Sequence, residues 1–358
     1  MILDSPIAYC LVMTSVLRSP SNPKPEKRTR TVKKRFGVYI LLLSAGLLSA
    51  CPTPSTNNEQ TSADAGMTER TPPPELPPPE NPIGKQDQPE LIDDGFVFTE
   101  GPLWDAKNKI VYFSDLIGNT LYKMTLGDPV DIQKVRGETQ LGNGLALDAK
   151  GRIVTCERIT RRLSVMESDG TVNTLVDKYE GKLLNGPNDI TVHSDGAIYF
   201  TDPPYALSDD KKELDFNGVF RLAPDGKTLT ALWKGEAKTL PNGIILSPYD
   251  QKLYFADAAN DVIWVGTLKA DGGIETPKKF VDTGEGPDGL AMDANGNLYV
   301  ATKAGVEVYS REGQKWGVIT IPKHPANMTF IGEDRKTLLV AARPALYQIK
   351  NMPIAGVH

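Results

Sequence analysis

A short strand-like run recurs six times along the chain, and this recurrence limits the possible folds more than any bulk property does. The runs are IVYFSD (110–115), RIVTCE (152–157), AIYFTD (197–202), KLYFAD (252–257), NLYVAT (297–302) and TLLVAA (337–342). They return at intervals of roughly 40 to 55 residues, the period of four-stranded propeller blades. Ahead of each run, by roughly ten to fifteen residues of the same repeat, stands a second signature: Glu100-Gly-Pro, Asn143-Gly-Leu, Asn188-Asp-Ile, Asn242-Gly-Ile, Asp288-Gly-Leu and Asn327-Met-Thr. Each repeat thus offers one oxygen-bearing side chain at an equivalent position. Rotational symmetry would gather those side chains in space.

The 358 residues divide by composition. Residues 1–50 read as a leader with a lipoprotein signal peptide: the apolar stretch 36–50 follows Lys33, Lys34 and Arg35 and is short for a membrane span. It ends Leu48-Ser-Ala-Cys51, resembling a bacterial lipobox in which Cys51 is the lipidated residue. Residues 51–89, rich in Pro, Thr, Ser, Asn and Glu, bury little apolar area and read as a disordered tether. With Pro52 rather than Asp after Cys51, the expected address is the bacterial cell envelope, on the outer membrane facing the periplasm. A Cys51→Ala variant should then appear in the soluble rather than the membrane fraction, and retention in the membrane would rule the anchor out. The leader carries 8 basic and 2 acidic residues, so of the chain's 40 Lys+Arg and 45 Asp+Glu, 32 and 43 remain beyond it. That acidic balance excludes nucleic acid as a partner and suits a cation. Beyond Cys10 and Cys51 only Cys156 is left, a lone thiol in an apolar strand that reads as a small buried hydrophobe.

Residues 90–358 match one six-bladed, all-β propeller at roughly 45 residues per blade. Turn pairs such as Asp169-Gly170, Asp195-Gly196, Asp225-Gly226, Asp271-Gly272 and Asn295-Gly296 separate the β-rich runs. The alternating Tyr and Phe of the runs would fill the space between blades. No stretch supplies the helical crossovers of a parallel α/β sheet. Residues 91–98 are expected to pair with the C-terminal strands and close the ring. The long interval before the fourth run places an insertion near 203–217, a loop at one mouth.

In a propeller the innermost strand of each blade lines the axis, so the residues that begin those strands converge there. Glu100, Asn143, Asn188, Asn242, Asp288 and Asn327 would form a ring of hard oxygen donors. Two carboxylates and several amides suit Ca²⁺, Mg²⁺ or Mn²⁺ better than a soft metal. A cation would also relieve the repulsion between the carboxylates. Against this, Asn-Gly and Asp-Gly pairs are ordinary turn residues that tolerate positive φ. Glu100 is the exception, because a turn has no need of Glu.

Glu100-Gly-Pro102, Asn188-Asp-Ile190 within LNGPNDI (184–190), Thr201-Asp-Pro203, Pro241-Asn-Gly243 and Pro287-Asp-Gly289 resemble the signatures of the senescence marker protein / gluconolactonase / luciferin-regenerating enzyme family. The resemblance covers about residues 91–350. It implies a six-bladed propeller holding one catalytic divalent cation, Ca²⁺ first, with Mg²⁺, Mn²⁺ or Zn²⁺ as alternatives. Glu100, Asn242 and Asp288 would be the core metal ligands, with Asn188 completing the shell or touching substrate. Asp288 matches the family's proposed general base. The animal members have arginine two positions before Asn188, where this chain has Gly186; Arg158, Arg161 and Arg162 are the candidates to replace it. Asn143 and Asn327 lie outside the family's core set.

The resemblance implies hydrolysis of a sugar lactone or related lactone, by a monomer acting on a small molecule. The cation would stabilise the oxyanion, and Asp288, or else Glu100, would activate water. Asp189 would orient a ligand or water, and Asp202 and Tyr205 would shape the pocket, Tyr205 as a substrate contact. Two alternatives are an organophosphate-type esterase on the same metal site and a non-catalytic, lipid-anchored binding propeller. Serine hydrolase chemistry finds no Gly-X-Ser-X-Gly elbow, and the chain has only 3 histidines. No phosphate loop or dinucleotide fingerprint is present.

Overall fold

The protein's structure, a computed structural model, describes residues 78–249 and 251–357. The expected leader, the expected lipid site Cys51 and the greater part of the expected tether lie outside the described residues. Among the described residues six four-stranded antiparallel sheets form the body of the fold. Their inner strands are Thr99–Asp105, Gly142–Leu147, Ile190–Val192, Pro241–Leu246, Leu290–Met292 and Pro325–Ile331, which begin blades 1 to 6. Each inner strand packs beside the next, and that of blade 6 beside that of blade 1, so the ring is closed. Each recurrent run is the second strand of its blade, for example Ile198–Asp202 and Lys252–Asp257. Among the described residues the only helix is one 3-10 turn, Asp209–Lys211, in the expected insertion. A short hairpin, Lys178–Tyr179 with Lys182–Leu183, adds a second excursion before blade 3.

The ring closes through its termini. Glu90–Asp93 pairs antiparallel with Ala345–Ile349 and supplies the outer strand of blade 6, with Leu91 opposite Tyr347. The expected closing stretch therefore starts one residue earlier than the sequence suggests and ends at Asp93. The chain is already docked before that strand. Asn297 Nδ2 donates to the Glu80 carbonyl (3.3 Å), Ile83 packs on the core between blades 5 and 6, and Asp87 N donates to Lys350 O (3.0 Å). The boundary expected at residue 89 falls inside this docked stretch.

Packing between blades follows from the two-residue period of a strand, which sends neighbouring side chains to opposite faces. In blade 3, Tyr199 enters the core shared with blade 4 while Phe200 enters the one shared with blade 2. Blade 4 repeats this with Tyr254 and Phe255, and blade 5 with Tyr299 and Val300. Each seam thereby receives large side chains from both walls, and edge-to-face pairs such as Tyr299 with Phe330 (5.3 Å) finish the contact. Cys156 sits in the core between blades 2 and 3, fully buried, with burial pushing its thiol up. It is a packing residue, in accord with the expectation from its strand.

The polar residue that ends three of the runs has a structural task. Asp115 accepts from the Val97 and Phe98 amides (3.1 and 2.9 Å), Asp202 from Asn185 and Gly186 (2.7 Å each), and Asp257 from Leu240 (3.0 Å). Each carboxylate thus ties down the segment two or three residues ahead of Glu100, Asn188 or Asn242. These backbone donors would otherwise be buried without partners, at a cost of about 1–3 kcal/mol each. Asp202 is accordingly a clamp on the loop that carries Asn188.

Candidate functional site

Four of the six axial residues are followed by glycine, and close approach between blades requires it there, which differs from the turn reading of Asn-Gly and Asp-Gly. A Cβ on Gly101 would meet Asn143 O at 2.2 Å, one on Gly144 would meet Asp189 Cα at 2.7 Å, and one on Gly243 would meet Asp288 O at 2.2 Å. One on Gly289 would meet the Asn327 side chain at 2.2 Å. Of these four only Gly101 has positive φ, at 49°. The other three are glycine because the next blade's backbone occupies the space a side chain needs. Gly144 N donates to Asn188 O (2.9 Å) and Gly289 N to Ala326 O (2.7 Å), stitching blade 2 to 3 and blade 5 to 6.

This close packing brings the predicted side chains onto the axis. Asn143 Nδ2 donates to Asn188 Oδ1 (2.8 Å), Asn188 Nδ2 to Asn242 Oδ1 (2.5 Å), and Asn242 Nδ2 to the Pro287 carbonyl (3.4 Å) beside Asp288. One amide chain therefore spans blades 2 to 5. Asn143, placed outside the core set by the resemblance, is bonded directly to Asn188. Glu100, Asp189 and Asp288 are buried around this chain. Burial raises the Glu100 carboxyl above its usual range, and Asp288 and then Asp189 add to the shift through repulsion. Burial likewise raises Asp288, with Arg343 and Arg158 opposing it, and pushes Asp189 up to about 7.

Two arginines complete the cluster. Arg343 Nη2 donates to Asp288 Oδ2 (2.6 Å), and its guanidinium lies 4.2 Å from the centroid of Phe98. Arg158 donates through Nη2 to Asn188 Oδ1 and stacks 5.2 Å over Tyr205, which places Tyr205 at the site. Of the three candidates to replace the missing arginine, only Arg158 reaches the axis. Arg161 is spent on the Leu183 and Leu184 carbonyls, and Arg162 on Glu157. Arg343 was missed by sequence reasoning, yet a signal existed. Arg158 and Arg343 each follow immediately the last residue of a run, Glu157 and Ala342, and that equivalent position opens onto the mouth of the axis.

The remaining two residues face the other way. Asp189 accepts from the Ile244 amide (3.2 Å) and is bonded by the Asn327 side chain. Both line an axial channel of about 280 Å³ whose walls are the inner strands, from Gly101 and Leu145 to Met292 and Phe330. The site is thus layered, with arginines and Tyr205 at one mouth, the amide chain with Glu100 and Asp288 in the middle, and Asp189 with Asn327 at the head of the channel.

The donor set fits a hard cation. Asn143 Oδ1 is buried with no hydrogen-bond partner, and the buried Asp288 stands close enough to Glu100 to raise its carboxyl. Among the described residues no three His, Cys, Asp or Glu side chains form a metal-holding group. A cation here would therefore rely on amide oxygens beside Glu100 and Asp288.

Comparison with known proteins accords with this architecture. The chain matches the family described as SMP-30/Gluconolactonase/LRE-like region over residues 98–343. It is 32% identical over 292 residues to a gluconolactonase of Zymomonas mobilis, covering 73% of this chain and 80% of that one. It is 24% identical to a pentonolactonase of Haloferax volcanii, over 70% of this chain and 83% of the relative. A solved gluconolactonase of Xanthomonas campestris superposes with a TM-score of 0.70 at 30% identity, covering 78% of this chain and 94% of its own. The calcium-binding regucalcin of Agrobacterium tumefaciens, at 19% identity and a TM-score of 0.64, shares the fold, with 76% of this chain and 96% of that one covered. The chain belongs to the SMP-30/gluconolactonase/LRE-like family.

Proposed function

We propose that this protein is a divalent-metal-dependent lactonase that opens a sugar lactone or a related lactone. The observation that carries the reading is the convergence, in the middle of the axis, of an amide chain, two buried carboxylates that repel and an orphaned amide oxygen. Membership in a family whose matched relatives are named lactonases supports it.

Glu100, Asn188, Asn242 and Asp288 would hold the cation, with Ca²⁺ as the first candidate. When bound, such an ion supplies a Lewis acid for the lactone carbonyl oxygen. Asp288 takes a proton from water, and the water oxygen adds to the carbonyl carbon. The ring C–O bond then breaks, and the proton held by Asp288 passes to the departing ring oxygen, leaving a hydroxy acid. Arg343 orients the Asp288 carboxylate through Oδ2. Glu100, buried beside it, is the alternative base. Tyr205 and Arg158 border the space where substrate enters.

The test combines metal and substrate. Protein stripped with chelator should gain thermal stability on addition of Ca²⁺, Mg²⁺, Mn²⁺ or Zn²⁺, by about 2.7 kcal/mol at a hundredfold excess over Kd. The same ion should restore opening of aldonolactones followed by acid release. Full lactone turnover in chelator would sink the metal-dependent reading. Metal binding without turnover of any lactone would leave a binding propeller instead.

A further inference from the structure

We propose that Arg158 and Tyr205 form a subsite for an anionic group, so that the preferred substrate is a lactone carrying its own carboxylate or comparable acid. This rests on the lactonase reading above and narrows its substrate class.

Arg158 is only 5% exposed, and two of its nitrogens, Nε and Nη1, are buried without a hydrogen-bond partner. Three N–H bonds of a charged group are therefore unspent in a place that water does not freely reach. Leaving them so is costly unless something else occupies the site. Among the described residues no carboxylate forms an ion pair with Arg158, and its side-chain hydrogen bond goes through Nη2 to the neutral amide of Asn188. Tyr205 covers one face of the guanidinium, which leaves the N–H groups of Nε and Nη1 for a ligand. Each of these groups can give an acid oxygen a charge-assisted hydrogen bond, stronger than one to a neutral hydroxyl.

Charge decides between an anion and a sugar hydroxyl. Glu100, Asp189 and Asp288 bring three negative charges at most, against Arg158, Arg343 and a divalent ion. The loaded site keeps one positive charge unspent even with every carboxylate ionised, and more if one is protonated. A neutral polyol would leave that charge buried and uncompensated, whereas an acidic substrate neutralises it.

The experiment compares kcat/KM for an uncharged aldonolactone and for the monolactone of a sugar diacid, in wild type, Arg158→Met and Arg158→Lys. Wild type should favour the acidic lactone by about tenfold or more, and Arg158→Met should cost the acidic lactone at least about tenfold more than the neutral one, chiefly through KM. Arg158→Lys should recover part of the loss. Equal losses for both lactones, or a wild-type preference for the neutral one, overturn the proposal. Thermal-shift titration with the open-chain diacid and mono-acid separates this from the lactonase reading. Selective stabilisation by the diacid that vanishes in Arg158→Met upholds the subsite even if no lactone is opened, and its absence counts against the subsite even if lactones are opened.

Discussion

Replacing Asp288 with asparagine is expected to lower kcat/KM for any lactone by about 10³-fold, within the range set by losing a positioned general base. Asparagine keeps the shape of the side chain and does not alter the backbone, where Asp288 N donates to Ala301 O (2.8 Å). It cannot accept the water proton, and it removes one of the two charges available to a cation. Folding should tolerate the change well. Burial already disfavours the Asp288 carboxylate, and removing it relieves repulsion on Glu100, at the expense of the Arg343 ion pair. The expected outcome is an inactive protein whose Tm lies within a few degrees of wild type. If activity stayed within tenfold, proton removal would have to be assigned to Glu100 or to another group, and the role given to Asp288 would be lost.

The second large effect is on stability. A Cβ placed at Gly243 would lie 2.2 Å from Asp288 O and 2.8 Å from Gly289 Cα, both backbone atoms of the neighbouring blade. No rotamer change can relieve such a clash; the seam between blades 4 and 5 has to open. Gly243→Ala should cost about 3 kcal/mol and lower Tm by about 6–10 °C. Because Asp288 moves with the displaced backbone, activity should fall as well. Gly186→Ala is the matched control: its Cβ would meet nothing closer than Pro203 O at 3.5 Å, an ordinary contact. Calorimetry on the pair would decide. Equal Tm values for the two variants would mean that the glycine is not a packing requirement.

Much of this architecture could be read from the chain because it is periodic. The six runs became the six second strands, and the Tyr-Phe pairs within them revealed the seams through simple alternation. Glu100, Asn188, Asn242 and Asp288 were legible for the same reason, since equivalent positions in a closed ring must meet at its centre. What escaped is what breaks the symmetry. Arg343 escaped, and with it the position it shares with Arg158, a candidate from the sequence: the corresponding residues of other blades include Leu116, Pro203 and Ala258, so no repeated residue type marks the position. Whether such a residue reaches the axis depends on its loop, and loop conformation has no period to detect. The glycines were legible as glycines and misread in purpose. A requirement for φ > 0 and a requirement for empty space select the same residue, and only the position of the adjacent backbone distinguishes them.

The contact of one blade's glycine with the next blade's backbone makes the central ring incompressible and equally hard to enlarge. A change in what this scaffold accepts therefore cannot come from dilating its middle. Retooling is confined to the rim, to the residues that follow each run and to the 203–217 excursion, where substitutions leave the stitching untouched. A designer who wished to redirect the enzyme should diversify positions 158, 205 and 343 and leave the six axial signatures alone.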